Sequence, residues 1–240
     1  MGVCDGATES VLAKAWAELL AERSATYALT HPEMFVSGQM YEQFTAAATA
    51  GWDPFLEDYS RNRAAEGRPL KWYEQAKLVQ GAYATMLTVR IEPVLGSAQP
   101  AAGDEPSDAW RWQAAALGDS CLFHIRDDRR IRSFPVERAE EFGTVPNLFG
   151  SRNHDTELLR ERTLFAEGVC LPGDRLFLMT DALSAWFLSA PKPVHAIREL
   201  LEFGGPHDED RFSDWLNALR NRRALRNDDV AVVRIDIEGR

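Results

Sequence analysis

The sequence lacks the basic charge and the paired cysteines that mark several classes of protein. Its 240 residues carry 27 basic against 37 acidic side chains, which gives a net charge of -10. Nucleic acids and anionic membranes attract basic surfaces, so this charge argues against both as partners. The three cysteines show no CxxC spacing and make a poor disulfide framework, which predicts a reducing cytoplasm.

Long hydrophobic runs and metal-binding histidine clusters are missing as well. The most apolar stretch, residues 176–188, is interrupted by Asp181 and is well short of the ~20 residues that cross a bilayer. The five histidines are scattered, without an HExxH motif or a His-Cys cluster, which argues against zinc chemistry. His124 lies in a predicted strand and is interpreted as structural. A cysteine nucleophile is also disfavoured, because no thiol has an adjacent basic partner except Cys121, and His124, three residues beyond it, lies on the opposite face of the strand.

The length and composition suit a single domain over residues 1–240. A hydrophobic content of 45% in a chain of this size is enough for one well-formed core. Residues 96–108 are rich in small, Pro and acidic side chains that bury too little surface to fold. This segment is predicted to be a flexible, solvated loop.

Apolar periodicity divides the chain into a helical first third and a mixed remainder. A stripe that includes Trp16 and Leu20 at helical spacing predicts a helix over 9–28. Weaker patterns predict further helices over 40–50, 54–65, 72–84, 194–203 and 212–225, and a short one from Ala182. Residues 142–162 are interpreted as loop because Pro, Gly, Asn and charge are mixed there.

Alternation of apolar and polar residues predicts the strands. Trp110, Trp112 and Ala114 alternate with polar side chains, and the same pattern follows over 121–126. Further strands are predicted over 129–134, 175–179 and 230–237. Strands and helices do not alternate in a strict βαβ rhythm, so the pattern favours an α+β fold, an antiparallel β-sandwich flanked by helices.

Four acidic positions, each beside a predicted strand end, are candidate site residues. Asp5 is followed by Gly6 in Val-Cys-Asp-Gly, and the others are Asp119 in Leu-Gly-Asp-Ser, Asp181 in Met-Thr-Asp-Ala and Asp228 in Asn-Asp-Asp-Val. Each has a plain structural explanation: a turn, a hairpin loop, a helix N-cap and a loop end, respectively. The functional interpretation is that strand ends bring these oxygen ligands together around hard divalent cations.

These motifs, in this order, resemble a known family. Val-Cys-Asp-Gly, Leu-Gly-Asp-Ser, Pro-Gly-Asp-Arg-Leu-Phe-Leu-Met-Thr-Asp and Asp-Asp-Val-Ala-Val-Val-Arg are similar to the motif series of the PPM (type 2C) metal-dependent serine/threonine protein phosphatases. The match runs from Gly2 to Ile235, and its most specific part is the segment from Pro-Gly-Asp to Thr-Asp. The resemblance implies a four-layer αββα sandwich.

The resemblance also implies a mechanism and a set of ligands. Asp5 would bridge two Mn²⁺ or Mg²⁺ ions, Gly6 would lend its carbonyl to one, and Asp181 and Asp228 would hold the other. Asp119 would help to bind a third, weaker metal. A water bridging the two ions would attack phosphoserine or phosphothreonine of a phosphoprotein substrate, without a protein nucleophile.

Three departures from the family pattern stand out. The family's first strands, with an Arg that binds phosphate and a following Glu-Asp pair, would lie before Met1, so the implied domain is N-terminally incomplete. Ala182 stands where the family often has Gly after the metal-binding Asp. Asp-Gly-Ala-Thr-Glu-Ser replaces the usual Asp-Gly followed by His-Gly-Gly or Met-Gly-Gly, which removes a candidate general acid. Together they suggest a divergent bacterial-type branch.

The sequence leaves the function class open. An active phosphatase and a catalytically inactive PPM-like binding or regulatory module both fit the motifs. A hydrolase of small phosphoesters would use the same ions with little preference for phosphopeptides. The arginine run of Arg220, Arg222, Arg223 and Arg226 has two interpretations, contact with a phosphorylated partner or complementation of a helix dipole, and the second is favoured.

Overall fold

The computed structural model describes residues 1–7, 10–94, 108–143 and 145–239. Within these ranges the chain combines α-helices with antiparallel strands, as the α+β prediction requires. The predicted loop over 96–108 lies outside the described residues, apart from Asp108. No helix in these ranges has both the length and the apolar character needed to cross a membrane.

The helices are distributed along the whole chain. They are α1 (Ala13–Thr30), α2 (Gly38–Ala50), α3 (Trp52–Ala65), α4 (Trp72–Val79), α5 (Thr156–Arg162), α6 (Asp181–Ser189), α7 (Pro193–Leu201) and α8 (Glu209–Asn221), with short 3₁₀ helices at Pro32–Phe35, Ala139–Glu141 and Pro206–Asp208.

The strands are numbered in chain order. They are β1 (Gly2–Val3), β2 (Tyr83–Ala84), β3 (Met86–Pro93), β4 (Trp110–Leu117), β5 (Cys121–Arg126), β6 (Arg129–Phe134), β7 (Phe149–Gly150), β8 (Leu164–Cys170), β9 (Arg175–Met179) and β10 (Val232–Asp236). Their orders in the sheets are β1-β3-β4-β8, β10-β9-β5-β6 and β2-β7.

The chain divides into two compact units. The first comprises Met1–Arg90, Ala114–Gly118 and Pro146–Phe165, and the second comprises Ile91–Gln113, Asp119–Val145 and Ala166–Arg240. A single domain over residues 1–240 stays a prediction.

An aromatic core holds the first unit together. Trp16 of α1 is fully buried, and its ring meets Trp52 and Phe149 edge to face, with centroid distances of 5.6 and 5.8 Å. Its indole N–H donates to the carbonyl oxygen of Phe149 at 2.8 Å. A buried indole needs such a partner, because its N–H loses water on folding.

The second unit is built on the four-stranded sheet β10-β9-β5-β6. Phe123 of β5 and Phe177 of β9 share one apolar core with side chains of α6, α7 and α8, among them Leu183, Ile197 and Leu219. Asp127 and Asp128 join β5 to β6 in a two-residue turn in which both have positive φ, 50° and 55°. That backbone twist matches the twist of antiparallel strands.

Most strand predictions are confirmed, and two predictions from the middle of the chain are wrong. Strands β5, β6 and β9 occupy the predicted residues. The predicted helix over 72–84 ends at Val79, because Gly81 takes a φ of 83° and β2 follows it. The predicted loop over 142–162 contains β7 and α5, so the mixed composition conceals a short helix there.

The first testable prediction concerns the core of the first unit. Trp16→Phe deletes the hydrogen bond to the Phe149 carbonyl and removes part of a fully buried ring, so we expect a loss of about 2 kcal/mol in the free energy of unfolding. Urea unfolding followed by circular dichroism measures it. The matched control is Trp72→Phe at a side chain that is 80% exposed, which should change stability by less than about 0.5 kcal/mol. Equal losses in the two variants would contradict the assigned role of Trp16.

Candidate functional site

Strand register brings three of the predicted carboxylates to one end of the second unit's sheet. Met179, the last residue of β9, lies opposite Cys121 of β5 on one side and Val232 of β10 on the other. All three strands are antiparallel, so the residues before β5 and β10 and those after β9 lie at the same end. Asp119, Asp181 and Asp228 occupy these positions, two to four residues from the paired set.

Thr180 ties the loop that carries Asp228 to the end of β9. Its amide N–H donates to the carbonyl oxygen of Ala231 at 3.1 Å, and the amide of Ala231 donates to its hydroxyl oxygen at 3.0 Å. The hydroxyl in turn donates to the carbonyl of Asp229 at 3.3 Å. From the other side, the Arg220 guanidinium donates to the carbonyl of Asp228 at 2.6 Å. The loop is therefore fixed at several backbone groups.

The three carboxylates interact electrostatically. Burial, together with the negative charges of Asp181 and Asp228, raises the pKa of Asp119 to about 6, while the charge of Arg226 opposes the shift. The Arg226 guanidinium lies 3.9 Å from the Asp181 carboxylate. Mutual repulsion of this kind is what a bound cation relieves, and carboxylate oxygens are the ligands that Mg²⁺ and Mn²⁺ prefer. The donor set therefore fits a hard divalent ion.

The helix N-cap alternative for Asp181 is wrong. Thr180 is the N-cap residue of α6, and Asp181 is the first residue of the helix itself. One of its carboxylate oxygens accepts the amide N–H of Ala182 at 2.6 Å, and the other is the oxygen nearest Arg226. The carboxylate thus lies at the positive end of the helix dipole.

Asp5 and Gly6 belong to the first unit, where they lie in extended backbone and not in a tight turn. Thr85 donates its amide N–H to the Asp5 carbonyl at 2.8 Å, and Gly6 forms an antiparallel bridge with Ala84. A Cβ at position 6 would lie 2.7 Å from the Ala13 backbone, so close packing requires glycine. Gly6 does not have a positive φ, and the turn alternative is therefore wrong.

Solved structures of protein phosphatases share this architecture. A phosphatase from Toxoplasma gondii has a TM-score of 0.54 at 12% identity and covers 99% of this chain and 77% of its own. A bacterial serine phosphatase has a TM-score of 0.52 at 14% identity, and the match covers 100% of this chain and 86% of that one. The Mycobacterium tuberculosis serine/threonine phosphatase PstP/Ppp has a TM-score of 0.51 at 15% identity, with coverages of 99% and 87%.

The chain has a phosphatase fold. The predicted resemblance to the PPM phosphatases and the predicted α+β sandwich are thereby confirmed at the level of the fold. No protein-family model matches the sequence, and no curated protein matches it either.

Sequence reasoning missed a buried polar cluster at the opposite end of β9 from Asp181. Asp174, in the turn before β9, is 2% exposed and accepts hydrogen bonds from Arg126 at 2.6 and 2.8 Å, from the amide of Leu171 at 2.8 Å and from His124 at 2.8 Å. The thiol of Cys170 lies 3.5 Å from the same His124 nitrogen. Pro-Gly-Asp, with His124 and Arg126 two residues apart on one strand, is the signal that points to it.

This cluster is better suited to structural support than to metal binding. His124, Cys170 and Asp174 each offer one ligand atom, all within 4.8 Å of one another. Yet the carboxylate of Asp174 is already taken up by four donors, and burial raises the pKa of the Cys170 thiol to about 12. Burial alone would raise the pKa of Asp174, but these donors hold it below the usual range. The cluster fixes the turn that leads into β9.

The second prediction tests the coupling at Asp119 in protein kept metal-free with EDTA. Because the folded-state pKa of Asp119 is raised to about 6, ionisation favours the unfolded chain, and stability is lost as pH rises from about 4 towards 6. Asp119→Asn cannot ionise, so its Tm should exceed that of the wild type at pH 8 by more than it does near pH 5. An Asp214→Asn variant at an exposed site on α8 is the control. A Tm difference between Asp119→Asn and the wild type that is the same at pH 5 and pH 8 would contradict the raised pKa of Asp119.

The third prediction tests the buried cluster. Asp174→Asn leaves the Arg126 charge without its partner, so we expect a loss of about 3 kcal/mol in the free energy of unfolding at pH 7. Since the folded-state pKa of Asp174 is lowered, this contribution disappears as pH falls through that pKa. The control is Asp127→Asn, an exposed turn residue whose positive φ asparagine also accepts. Similar denaturant midpoints for the two variants would show that the cluster contributes little.

Proposed function

We propose that the chain is a metal-dependent phosphatase acting on phosphoserine and phosphothreonine in proteins. The observation that carries the proposal is the register of β9 with β5 and β10, which places Asp119, Asp181 and Asp228 at one sheet end. The likeness in fold to serine/threonine phosphatases supports the reaction class.

The ligand set follows the family resemblance. Within the second unit, Asp181 and Asp228 would hold one ion and Asp119 would help to bind another. The resemblance also assigns Asp5 and the Gly6 carbonyl, of the first unit, as metal ligands. When bound, Mn²⁺ or Mg²⁺ supplies a water of lowered pKa and neutralises charge on the phosphoryl oxygens. The fixed backbone around Thr180 and Asp228 supports this assignment, because it holds two of the candidate ligands at one end of the sheet.

The described side chains give no competing thiol nucleophile. Burial raises the pKa of the Cys121 thiol to about 12, and that of Cys170 likewise. Burial also raises the pKa of the Cys4 thiol. A thiol that stays protonated at neutral pH does not attack phosphorus, so water is the nucleophile that fits.

The fourth prediction is a direct test of the activity. The wild-type chain should release phosphate from a phosphothreonine peptide with Mn²⁺ and not with EDTA. Asp181→Asn keeps the side-chain volume but weakens an ion ligand, so the rate should fall by about two orders of magnitude or more. Asp214→Asn, on the exposed face of α8, should keep the wild-type rate.

Metal binding is measured separately by thermal unfolding. A ligand that binds the folded state raises its Tm, so Mn²⁺ should raise the Tm of the wild type and raise that of Asp181→Asn less. A Tm response without hydrolysis would favour the inactive binding module. Equal hydrolysis of a phosphopeptide and of a small aryl phosphate would favour the small-phosphoester hydrolase. Hydrolysis unaffected in Asp181→Asn would place the activity elsewhere.

A further inference from the structure

Arg226 places a positive charge among the candidate metal ligands. One guanidinium nitrogen lies 3.9 Å from the Asp181 carboxylate, and the other terminal nitrogen donates to the carbonyl of Phe142 at 3.5 Å. The same charge lowers the pKa of Asp119. All of these groups belong to the second unit. The head group is therefore held at the site by two different contacts.

Most of the hydrogen-bonding capacity of Arg226 is unused. An arginine carries five N–H donors, and among the described residues this guanidinium makes one hydrogen bond, to Phe142. Its distance to Asp181 is longer than a hydrogen bond, and half of its side chain, 51%, is exposed. A guanidinium in this state presents a charged fork towards solvent beside the carboxylates.

Arg220 belongs to the same arginine run, but its guanidinium has a structural contact that Arg226 lacks. Its guanidinium donates to the carbonyl of Asp228 at 2.6 Å and fastens a loop. Arg222 is the C-cap residue of α8 and is exposed. The favoured interpretation of the run as a helix-dipole complement therefore does not cover Arg226, which lies beyond the helix end and faces the site.

We propose that Arg226 binds the phosphoryl group of the substrate through its unused N–H donors. The inference rests on the proposed function, in which the phosphoryl group lies at these carboxylates. The planar fork of arginine matches two oxygens of a phosphate, and such charge-assisted hydrogen bonds are stronger than neutral ones. The competing explanation is that Arg226 only neutralises Asp181 and Asp119, in which case its loss leaves phosphate affinity unchanged.

The experiment measures phosphate binding without turnover. Orthophosphate is titrated by calorimetry into the wild type, Arg226→Gln, Arg226→Lys and the control Arg222→Gln, all in Mg²⁺. Arg226→Gln should weaken binding about tenfold or more, and Arg226→Lys by less, because it keeps the charge but loses the fork. Arg222→Gln removes the same charge from an exposed position and should stay within about twofold of wild type. Circular dichroism verifies that each variant is folded.

Hydrolysis of the phosphothreonine peptide separates this inference from the proposed function. If the wild type binds phosphate without hydrolysing the peptide, and Arg226→Gln loses the binding, the proposed function fails and the role of Arg226 stands. If the wild type and Arg226→Gln bind phosphate with equal affinity, the inference is overturned, whether or not the wild type hydrolyses the peptide. A folded wild type that does not bind phosphate overturns it as well. With active protein, Arg226→Gln should lower kcat/KM by at least the factor lost in phosphate affinity.

Discussion

The pairing of Met179 with Cys121 and with Val232 is the constraint on which the candidate site depends. Three motifs that are spread over residues 119–228 acquire a common position only because three antiparallel strands share this register. A slip of one residue in either pairing would turn every side chain of the moved strand to the opposite face of the sheet. The alternation that buries Phe123 and Phe177 therefore also specifies where Asp119, Asp181 and Asp228 lie.

The second unit combines an unfavourable group of charges with supports that keep it in place. The carboxylates repel one another, and burial penalises the charge of Asp119. Two features stabilise the folded unit. The sheet shares an apolar core with α6, α7 and α8, and Asp174 accepts hydrogen bonds in a buried cluster. Carboxyl groups with raised pKa values commonly destabilise a fold, and they cluster at functional sites. The backbone ties at Thr180 serve the same purpose locally.

The sequence allows the strands of this unit to be predicted almost to the residue, because alternation is strong where one face is buried. Prediction from the sequence fails where the apolar–polar alternation is weak. β8 has no clear alternation, with exposed Leu164 and Phe165 at its start, and it lies at a sheet edge. α5 has only one buried residue, Leu159, so its apolar face is too small to show in a periodicity. The helix over 72–84 is overextended because a positive φ at Gly81 cannot be read from composition.

The sequence predicted that the candidate residues lie beside strand ends, but it did not predict their local backbone environment. Asp181 is not an N-cap, and Gly6 is required by contact with Ala13 and not by a turn. Motif order places the carboxylates, while tertiary contacts decide the role of the neighbouring charges. Arg126 is the clearest case. It donates three hydrogen bonds, two to the Asp174 carboxylate and one to the Val169 carbonyl, so its role is to stabilise the fold. Arg226 has the same side chain, but its guanidinium lies 3.9 Å from the Asp181 carboxylate and makes one hydrogen bond among the described residues, to Phe142. What separates an arginine that supports a structure from one able to bind a ligand is the number of donors already satisfied, and this number comes only from the folded chain.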